Sequence, residues 1–277
     1  MKATNFIQRA LSGIAYVTLI IGSLWLGSLS FGFLCMLILI LSMDEYFRLV
    51  KRLKVKTADI LVMVCAGLSF SLVFMNRSFG LDSKFLFLIP LSFLAFMIRE
   101  VYKRSTSPFN SLAYGTFGMI YAFVPITCLY SMGFFEQYSW TDEFQKEIPL
   151  GFFILVWAND TGAYLAGSAF GKTKLFERIS PKKTLEGSLG GLVLSLGVAF
   201  AFSNYATQIS VLDWMLIAIL VVIFGSLGDL FESLLKRKAD VKDSGKLMPG
   251  HGGMLDRFDS VLFAAPVVFA YLAIIAN

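Results

Sequence analysis

Long apolar stretches separated by short polar loops run the full length of the chain. A helix that crosses a membrane needs about 20 mostly apolar residues. Nine stretches approach that length and predict spanning helices at roughly 10–28, 30–50, 58–76, 84–99, 112–134, 148–170, 187–204, 211–231 and 258–276. The fourth is short, and the sixth and eighth carry polar residues, so counts of eight or ten also fit. With 57% hydrophobic and only 16% charged residues, the composition favours an all-α, polytopic membrane bundle.

The basic residues are distributed unevenly between the loops. If the N-terminus is placed in the cytoplasm, 21 of the 24 Lys and Arg residues fall on cytoplasmic segments, while the outer loop 136–147 is acidic. The positive-inside rule then predicts nine spans, with the N-terminus cytoplasmic and the C-terminus outside. The basic net charge reflects this bias, and it does not indicate a nucleic-acid partner.

Polar residues inside the apolar stretches lie almost entirely after residue 150. Ionisable groups within a membrane are expensive and usually functional. Since no Pro- or Gly-rich linker divides the chain, we expect one membrane domain over 1–277. In it, 1–150 provides mainly scaffold spans and 151–277 is the catalytic half.

The eighth stretch ends in acids and bases with helical spacing. Asp229, Glu232 or Ser233, and Lys236 follow one another at i, i+3 or i+4, and i+7, so they share a helix face. A salt-bridged helix end with snorkelling side chains is one explanation. The apolar surroundings of Asp229 favour a functional carboxylate instead.

The following loop, 239–253, combines glycines with bases. Gly252 and Gly253 let backbone amides approach an anion, and Lys242 lies nearby. A plain surface turn is the alternative, but the neighbouring bases favour phosphate binding. His251, the only histidine, either donates to a phosphate or supports the turn.

Two further acids, Asp256 and Asp259, open the last stretch on one helix face. Acids at a helix N-terminus are favoured by the helix dipole, so capping is one explanation. Together with Asp229 they also offer the oxygen ligands that magnesium prefers.

Polar groups of the sixth stretch and the loop after it extend this set. Asn159 and Asp160 lie part-way across the predicted membrane and are expected to face a cavity. Lys182 and Lys183 belong to Ser180–Gly187, which we interpret as a helix start with bases at the interface. Ordinary positive-inside flanking is the alternative.

The spacing from residue 233 to 259 resembles the signature of the phosphatidate cytidylyltransferases, or CDP-diacylglycerol synthases. The matching positions are Ser233, Lys236, Arg237, Lys242, Asp243, Pro249-Gly-His-Gly-Gly253 and Asp256-Arg-Phe-Asp259. The stretches 159–161 and 180–187 are also similar to that family, so the resemblance covers the C-terminal half. It implies transfer of a cytidylyl group from CTP to phosphatidic acid, with CDP-diacylglycerol and pyrophosphate as products. It also implies an all-helical membrane fold, magnesium with a monovalent cation such as potassium in some members, and a homodimer.

Combined with this resemblance, the residues suggest a division of roles. We expect metal ligands among Asp229, Asp256, Asp259 and Asp160, and catalytic residues in Asp229, Asp256, Lys236 and Arg237. The expected substrate-binding residues are Asn159, Lys182, Lys183, Lys242, His251, Gly252, Gly253 and Arg257. The site would face the cytoplasm from the plasma membrane of a bacterium.

Three other functions make predictions that differ from this one. A CTP-dependent polyprenol kinase would release CDP and a lipid monophosphate. A CDP-alcohol phosphotransferase would need a spaced aspartate–glycine–arginine motif that is missing here. A transporter predicts repeats and a site near the bilayer midplane, whereas the polar residues here gather at the cytoplasmic end.

Overall fold

The computed structural model describes residues 2–103, 107–135, 144–247 and 252–276, with side chains from residue 11 onward. His251 lies outside these ranges. The helices are α1 (Lys2–Trp25), α2 (Ser28–Arg52), α3 (Asp59–Phe79), α4 (Ile89–Tyr102), α5 (Pro108–Ser131), α6 (Glu147–Phe170), α7 (Leu185–Ser203), α8 (Val211–Lys238) and α9 (Leu255–Ile275). Short 3-10 turns occupy Ser83–Leu88 and Met132–Phe134.

Eight of the nine apolar stretches coincide with one helix each, and the fourth, 84–99, is divided between the 3-10 turn Ser83–Leu88 and α4. Within the described residues, six segments are long and apolar enough to cross a membrane: Asp59–Phe79, Ser83–Tyr102, Pro108–Phe134, Leu185–Ser203, Val211–Lys238 and Leu255–Ile275. The architecture therefore fits an all-α polytopic membrane protein. The count of nine spans and the placement of the termini stay predictions.

A small hairpin is the exception to the helical pattern. Strand β1 (Lys174–Phe176) pairs antiparallel with β2 (Ser180–Thr184). The helix start expected within Ser180–Gly187 is found at Leu185, with Thr184 as its N-cap. The strand before it was not predicted, and Pro181 favours it because proline disfavours the helical conformation in the residue before it.

The chain forms two compact units. Unit 1 comprises Met1–Thr127 and Lys238–Arg257, and unit 2 comprises Cys128–Arg237 and Phe258–Asn277. In unit 1, the ring of Tyr46 on α2 lies so close to Gly118 on α5 that a Cβ there would overlap it. The Tyr46 hydroxyl also donates to the Tyr114 carbonyl at 3.0 Å. Unit 1 thus contains both the early helices and the loop before α9, whereas the expected division at residue 150 stays a prediction.

Unit 2 is organised around the close packing of α6 against α7. A Cβ at Gly162 would lie 2.6 Å from the Gly190 carbonyl oxygen, and one at Gly187 would lie 2.9 Å from the Ala163 carbonyl oxygen. Small residues at a membrane helix interface let the two backbones approach closely. The packing holds the polar residues of α6 beside those that begin α7.

Candidate active site

A cavity of about 460 Å³ opens in unit 2. Its size falls in the range of sites for small molecules. Residues of α6, the hairpin, α7, α8 and α9 contribute to its wall, and the polar ones are Asn159, Asp160, Tyr164, Ser168, Ser180, Lys182, Lys183, Thr184, Ser188, Ser226, Asp229 and Ser260. The structure therefore brings together five residues that the sequence assigned to the site, from three separate segments.

An ion pair between Lys183 and Asp229 joins the hairpin to α8. The Lys183 Nζ lies 2.6 Å from the Asp229 Oδ2 and 3.4 Å from the Ser226 carbonyl oxygen. The other carboxylate oxygen of Asp229 accepts a hydrogen bond from the Ser233 hydroxyl at 3.2 Å. Both ion-pair partners are partly exposed in the cavity, so a base and an acid are available side by side to an anionic ligand and a cation.

Two further carboxylates, those of Glu232 and Asp259, lie close to Asp229 of this pair. One oxygen from each of Asp229, Glu232 and Asp259 lies within 4.8 Å of the others. Glu232 is fully buried and forms an ion pair with Lys236 one turn later. Carboxylate oxygens are the ligands that magnesium prefers, so these three acids are candidate ligands. The sequence placed Glu232 on the correct helix face but did not name it as a ligand.

Asn159 and Asp160 reach the cavity from α6. Asn159 is buried, and its Oδ1 makes no hydrogen bond within the described residues. That oxygen lies against Gly191 of α7, where a Cβ would overlap it. Asp160 is exposed. The expectation that these two residues face a cavity is confirmed, while their ligands stay predictions.

A carboxylate at the start of α7 holds the hairpin in place. The Glu186 side chain accepts hydrogen bonds from the backbone N–H groups of Lys172 at 3.1 Å and Thr173 at 3.1 Å. The Thr184 hydroxyl caps the same helix by accepting from the Gly187 N–H at 3.2 Å. These contacts fix both ends of the hairpin that carries Lys182 and Lys183.

In unit 1, Asp256 organises the loop that precedes α9. Its Oδ2 accepts from the Ser244 N–H at 2.9 Å and from the Gly253 N–H at 2.7 Å, and it lies 2.9 Å from the Ser244 hydroxyl oxygen. Gly252 has a φ of 85°, and a Cβ there would lie 2.5 Å from the same Oδ2. The structure thus gives Asp256 and Gly252 a role in shaping the loop. Their roles toward metal and phosphate stay predictions.

Glu45, in the middle of α2, is a residue that the sequence reasoning missed. Its side chain is buried and accepts from the Ser244 hydroxyl at 2.9 Å, the Met254 N–H at 2.9 Å and the Leu255 N–H at 2.8 Å. Gly253 packs directly on the carboxylate, with no room for a Cβ. A charged residue on the buried face of an apolar helix was the available signal.

The remaining assigned bases are placed as follows. Lys242 is exposed and lines a second cavity, in unit 1. Arg237 is exposed near the end of α8, and Arg257 is half-buried in the first turn of α9. Lys236 forms an ion pair with Glu232.

Two known proteins that are similar to this chain are named for the same activity. A model of the cytidylyltransferase family matches residues 7–275. The phosphatidate cytidylyltransferase of Bacillus subtilis (strain 168) is 39% identical over 182 residues, which are 65% of this chain and 65% of that protein. The phosphatidate cytidylyltransferase of Staphylococcus aureus (strain COL) is 50% identical over 118 residues, which are 42% of this chain and 45% of that protein. The matched regions thus span less than two thirds of these relatives.

Proposed function

The chain belongs to the cytidylyltransferase family, and from that premise we propose that it transfers a cytidylyl group from CTP to phosphatidic acid. The names of the relatives from Bacillus and Staphylococcus support this choice of substrates. The observation that carries it in this chain is the cavity where Lys183 pairs with Asp229 beside two further carboxylates. Bases for phosphates and acids for a cation are what the reaction of two anionic substrates requires.

In the proposed reaction, a phosphate oxygen of phosphatidic acid attacks the α-phosphorus of CTP. A new oxygen–phosphorus bond forms, the bond to the β-phosphate bridging oxygen breaks, and pyrophosphate leaves with the electron pair. The attacking oxygen is already ionised near neutral pH, so no strong general base is needed. The protein's task is to bring two anions together and hold them in line.

The side chains of the cavity suit that task. Lys183, fixed by Asp229 and the Ser226 carbonyl, can neutralise a phosphate at a defined position, and Lys182 is exposed at the same wall. We assign these two bases and Asn159 to the lipid phosphate or the cytidine. Lys236, Arg237, Lys242 and Arg257 are assigned to the triphosphate, with His251, Gly252 and Gly253 supporting its approach.

Magnesium is the cofactor of this proposal, alone or with a monovalent cation such as potassium. Asp229 and Asp259 would hold it, with Glu232 added from the structure and Asp160 and Asp256 retained from the sequence. A bound magnesium ion would supply positive charge to the phosphate oxygens as negative charge builds on the leaving group.

The membrane topology forms part of the same proposal. Nine spans, with the N-terminus in the cytoplasm, would place the loops 172–183 and 236–257 on the side where CTP is found. Because the relatives are bacterial, we place the chain in a bacterial plasma membrane. A homodimer is also proposed, and the mass of the protein in detergent would test it.

The proposed reaction is tested by product analysis. Purified protein in detergent is given labelled CTP and phosphatidic acid, with and without magnesium, and we expect CDP-diacylglycerol and pyrophosphate only with the metal. A polyprenol acceptor provides the comparison, since a kinase would yield a lipid monophosphate and CDP. Absence of CDP-diacylglycerol under every metal condition would overturn the proposal.

A further inference from the structure

The second cavity, in unit 1, is lined mainly by basic side chains. It measures about 420 Å³ and lies between the last turns of α2 and the loop 241–246. The bases in its wall are Arg48, Arg52, Lys242 and Lys246, and the one acid is Asp243. None of these residues except Lys242 was assigned a role from the sequence.

The positive charge around this cavity is incompletely balanced. Arg48 pairs with Asp44 one turn earlier, at 2.5 Å. Within the described residues, Arg52, Lys242 and Lys246 form no salt bridge. Clefts lined by one sign of charge attract counter-ions of the opposite sign. The cavity therefore favours an anionic ligand.

The loop that forms one wall of the cavity is anchored by two carboxylates, the buried Glu45 and the half-buried Asp256. Ser244 lines the cavity and is bonded to Asp256 through its N–H and to Glu45 through its hydroxyl, both at 2.9 Å. Gly245 lies directly on the Glu45 carboxylate, without room for a Cβ. The lysines on either side, at 242 and 246, therefore extend from an anchored backbone, and a site ordered in advance loses less entropy on binding.

We propose that this cavity binds a phosphate group through Arg48, Arg52, Lys242 and Lys246. Arginine can bind phosphate with two parallel hydrogen bonds, while lysine acts as a point charge. The inference extends the proposed function by adding residues of the N-terminal half to phosphate recognition. The phosphate can come from the polyphosphate of CTP or from the headgroup of phosphatidic acid. Through Ser244, the loop that would hold it is bonded directly to Asp256.

The test compares Arg52→Gln and Lys246→Gln with Lys56→Gln in the full-length protein. Lys56 is an exposed base shortly after α2 that does not line the cavity, so it reports general loop charge. Calorimetry in detergent measures binding of pyrophosphate and of CTP. Binding of phosphatidic acid is measured with the protein in phosphatidylcholine nanodiscs, by comparing nanodiscs that contain phosphatidic acid with nanodiscs that lack it. We expect each cavity variant to weaken one ligand about tenfold, and Lys56→Gln to change binding less than twofold.

The pattern of losses identifies the source of the phosphate. Weaker binding of pyrophosphate and CTP supports a soluble polyphosphate, and weaker binding of phosphatidic acid alone supports a lipid headgroup. Unchanged binding of all ligands, or an equal loss in Lys56→Gln, overturns the proposal. Lys246→Gln alters an exposed loop position and keeps the test valid if Arg52→Gln fails to fold. Since binding needs no turnover, normal binding without CDP-diacylglycerol formation would contradict only the proposed function.

Discussion

The Ser244 hydroxyl donates a hydrogen bond to the Glu45 carboxylate at 2.9 Å, across 199 residues of chain. The same carboxylate accepts from the Met254 and Leu255 N–H groups, at the point where α9 begins. A single buried acid on α2 thus satisfies donors at both ends of the loop that carries Lys242, Gly252 and Gly253. The geometry of that loop depends on a helix that the sequence suggested was only scaffold.

Replacement of Glu45 by Gln is expected to loosen this loop. The amide keeps the shape but loses the charge, and its NH2 group cannot accept from a backbone N–H. We expect a loss of about 1.5–3 kcal/mol in stability, the range for a hydrogen bond to a charged group, and at least a tenfold lower turnover. Thermal unfolding in detergent and the CDP-diacylglycerol assay measure the two effects.

Glu177→Gln is the matched control, because Glu177 is an exposed acid in the hairpin turn. It should leave both unfolding temperature and turnover close to those of the unaltered protein. Equal behaviour of the two variants would contradict the anchoring role of Glu45.

Asp229→Asn should remove both the partner of Lys183 and a carboxylate of the acidic cluster. We expect turnover to fall about 10²–10³-fold, as when a group that stabilises transition-state charge is removed. The magnesium concentration for half-maximal activity should also rise. Asp240→Asn is the control, since Asp240 is exposed and adopts a φ of 53° that asparagine tolerates. If Asp229→Asn kept the turnover of the unaltered protein, the assignment of Asp229 as a metal ligand would be wrong.

Ser244 and Asp256 should be energetically coupled. Ser244→Ala removes the hydroxyl that lies 2.9 Å from the Asp256 Oδ2, while the Ser244 N–H keeps donating to that oxygen, so Ser244→Ala and Asp256→Asn should not act independently. In a double-mutant cycle on the free energy of unfolding in detergent we expect an interaction of about 0.5–3 kcal/mol. Asp256→Asn alone should nearly abolish turnover. Strictly additive effects of the two substitutions would show that Asp256 acts without its loop contacts.

Two glycines of α7 offer a steric test of the cavity wall. A Cβ at Gly191 would overlap the Asn159 Oδ1, whereas one at Gly197 would meet nothing within 4 Å. We expect Gly191→Ala to destabilise the protein by about 1–3 kcal/mol and to raise the KM for a substrate. Gly197→Ala should be neutral or stabilise by up to about 1 kcal/mol, because alanine favours a helix more than glycine does. Similar unfolding temperatures for both variants would argue against the close packing.

The sequence predicted the helices well because their signal is local. Each apolar stretch of about 20 residues became a helix, and the spacing of Asp229 and Ser233 correctly placed them on one face, as their hydrogen bond shows. The hairpin escaped prediction because its strands have only three and five residues, too few to show a period. The basic residues of the hairpin are equally typical of a segment that flanks a membrane helix.

The sequence predicted which types of residue form the candidate site, but only in part which of these residues contact one another. Lys183 and Asp229 were both assigned to it, but nothing in a sequence indicates that residues 46 positions apart form an ion pair. Glu45 was missed for the same reason, since its donors come from residues 244, 254 and 255. Helical spacing suggested that Asp256 and Asp259 would act together, yet the carboxylate of Asp256 bonds to the loop through Ser244 and Gly253.

The close packing of α6 against α7 has a consequence for drug resistance. Where Gly187 lines the cavity, the wall is main chain, and an added Cβ would lie only 2.9 Å from the Ala163 carbonyl oxygen. A protein escapes an inhibitor most readily by exchanging a side chain that touches the compound. An inhibitor that contacts Gly187 would meet peptide groups that no point mutation can replace, and a larger residue at 187 would force α7 away from the Ala163 carbonyl of α6. Resistance would then have to arise elsewhere in the pocket.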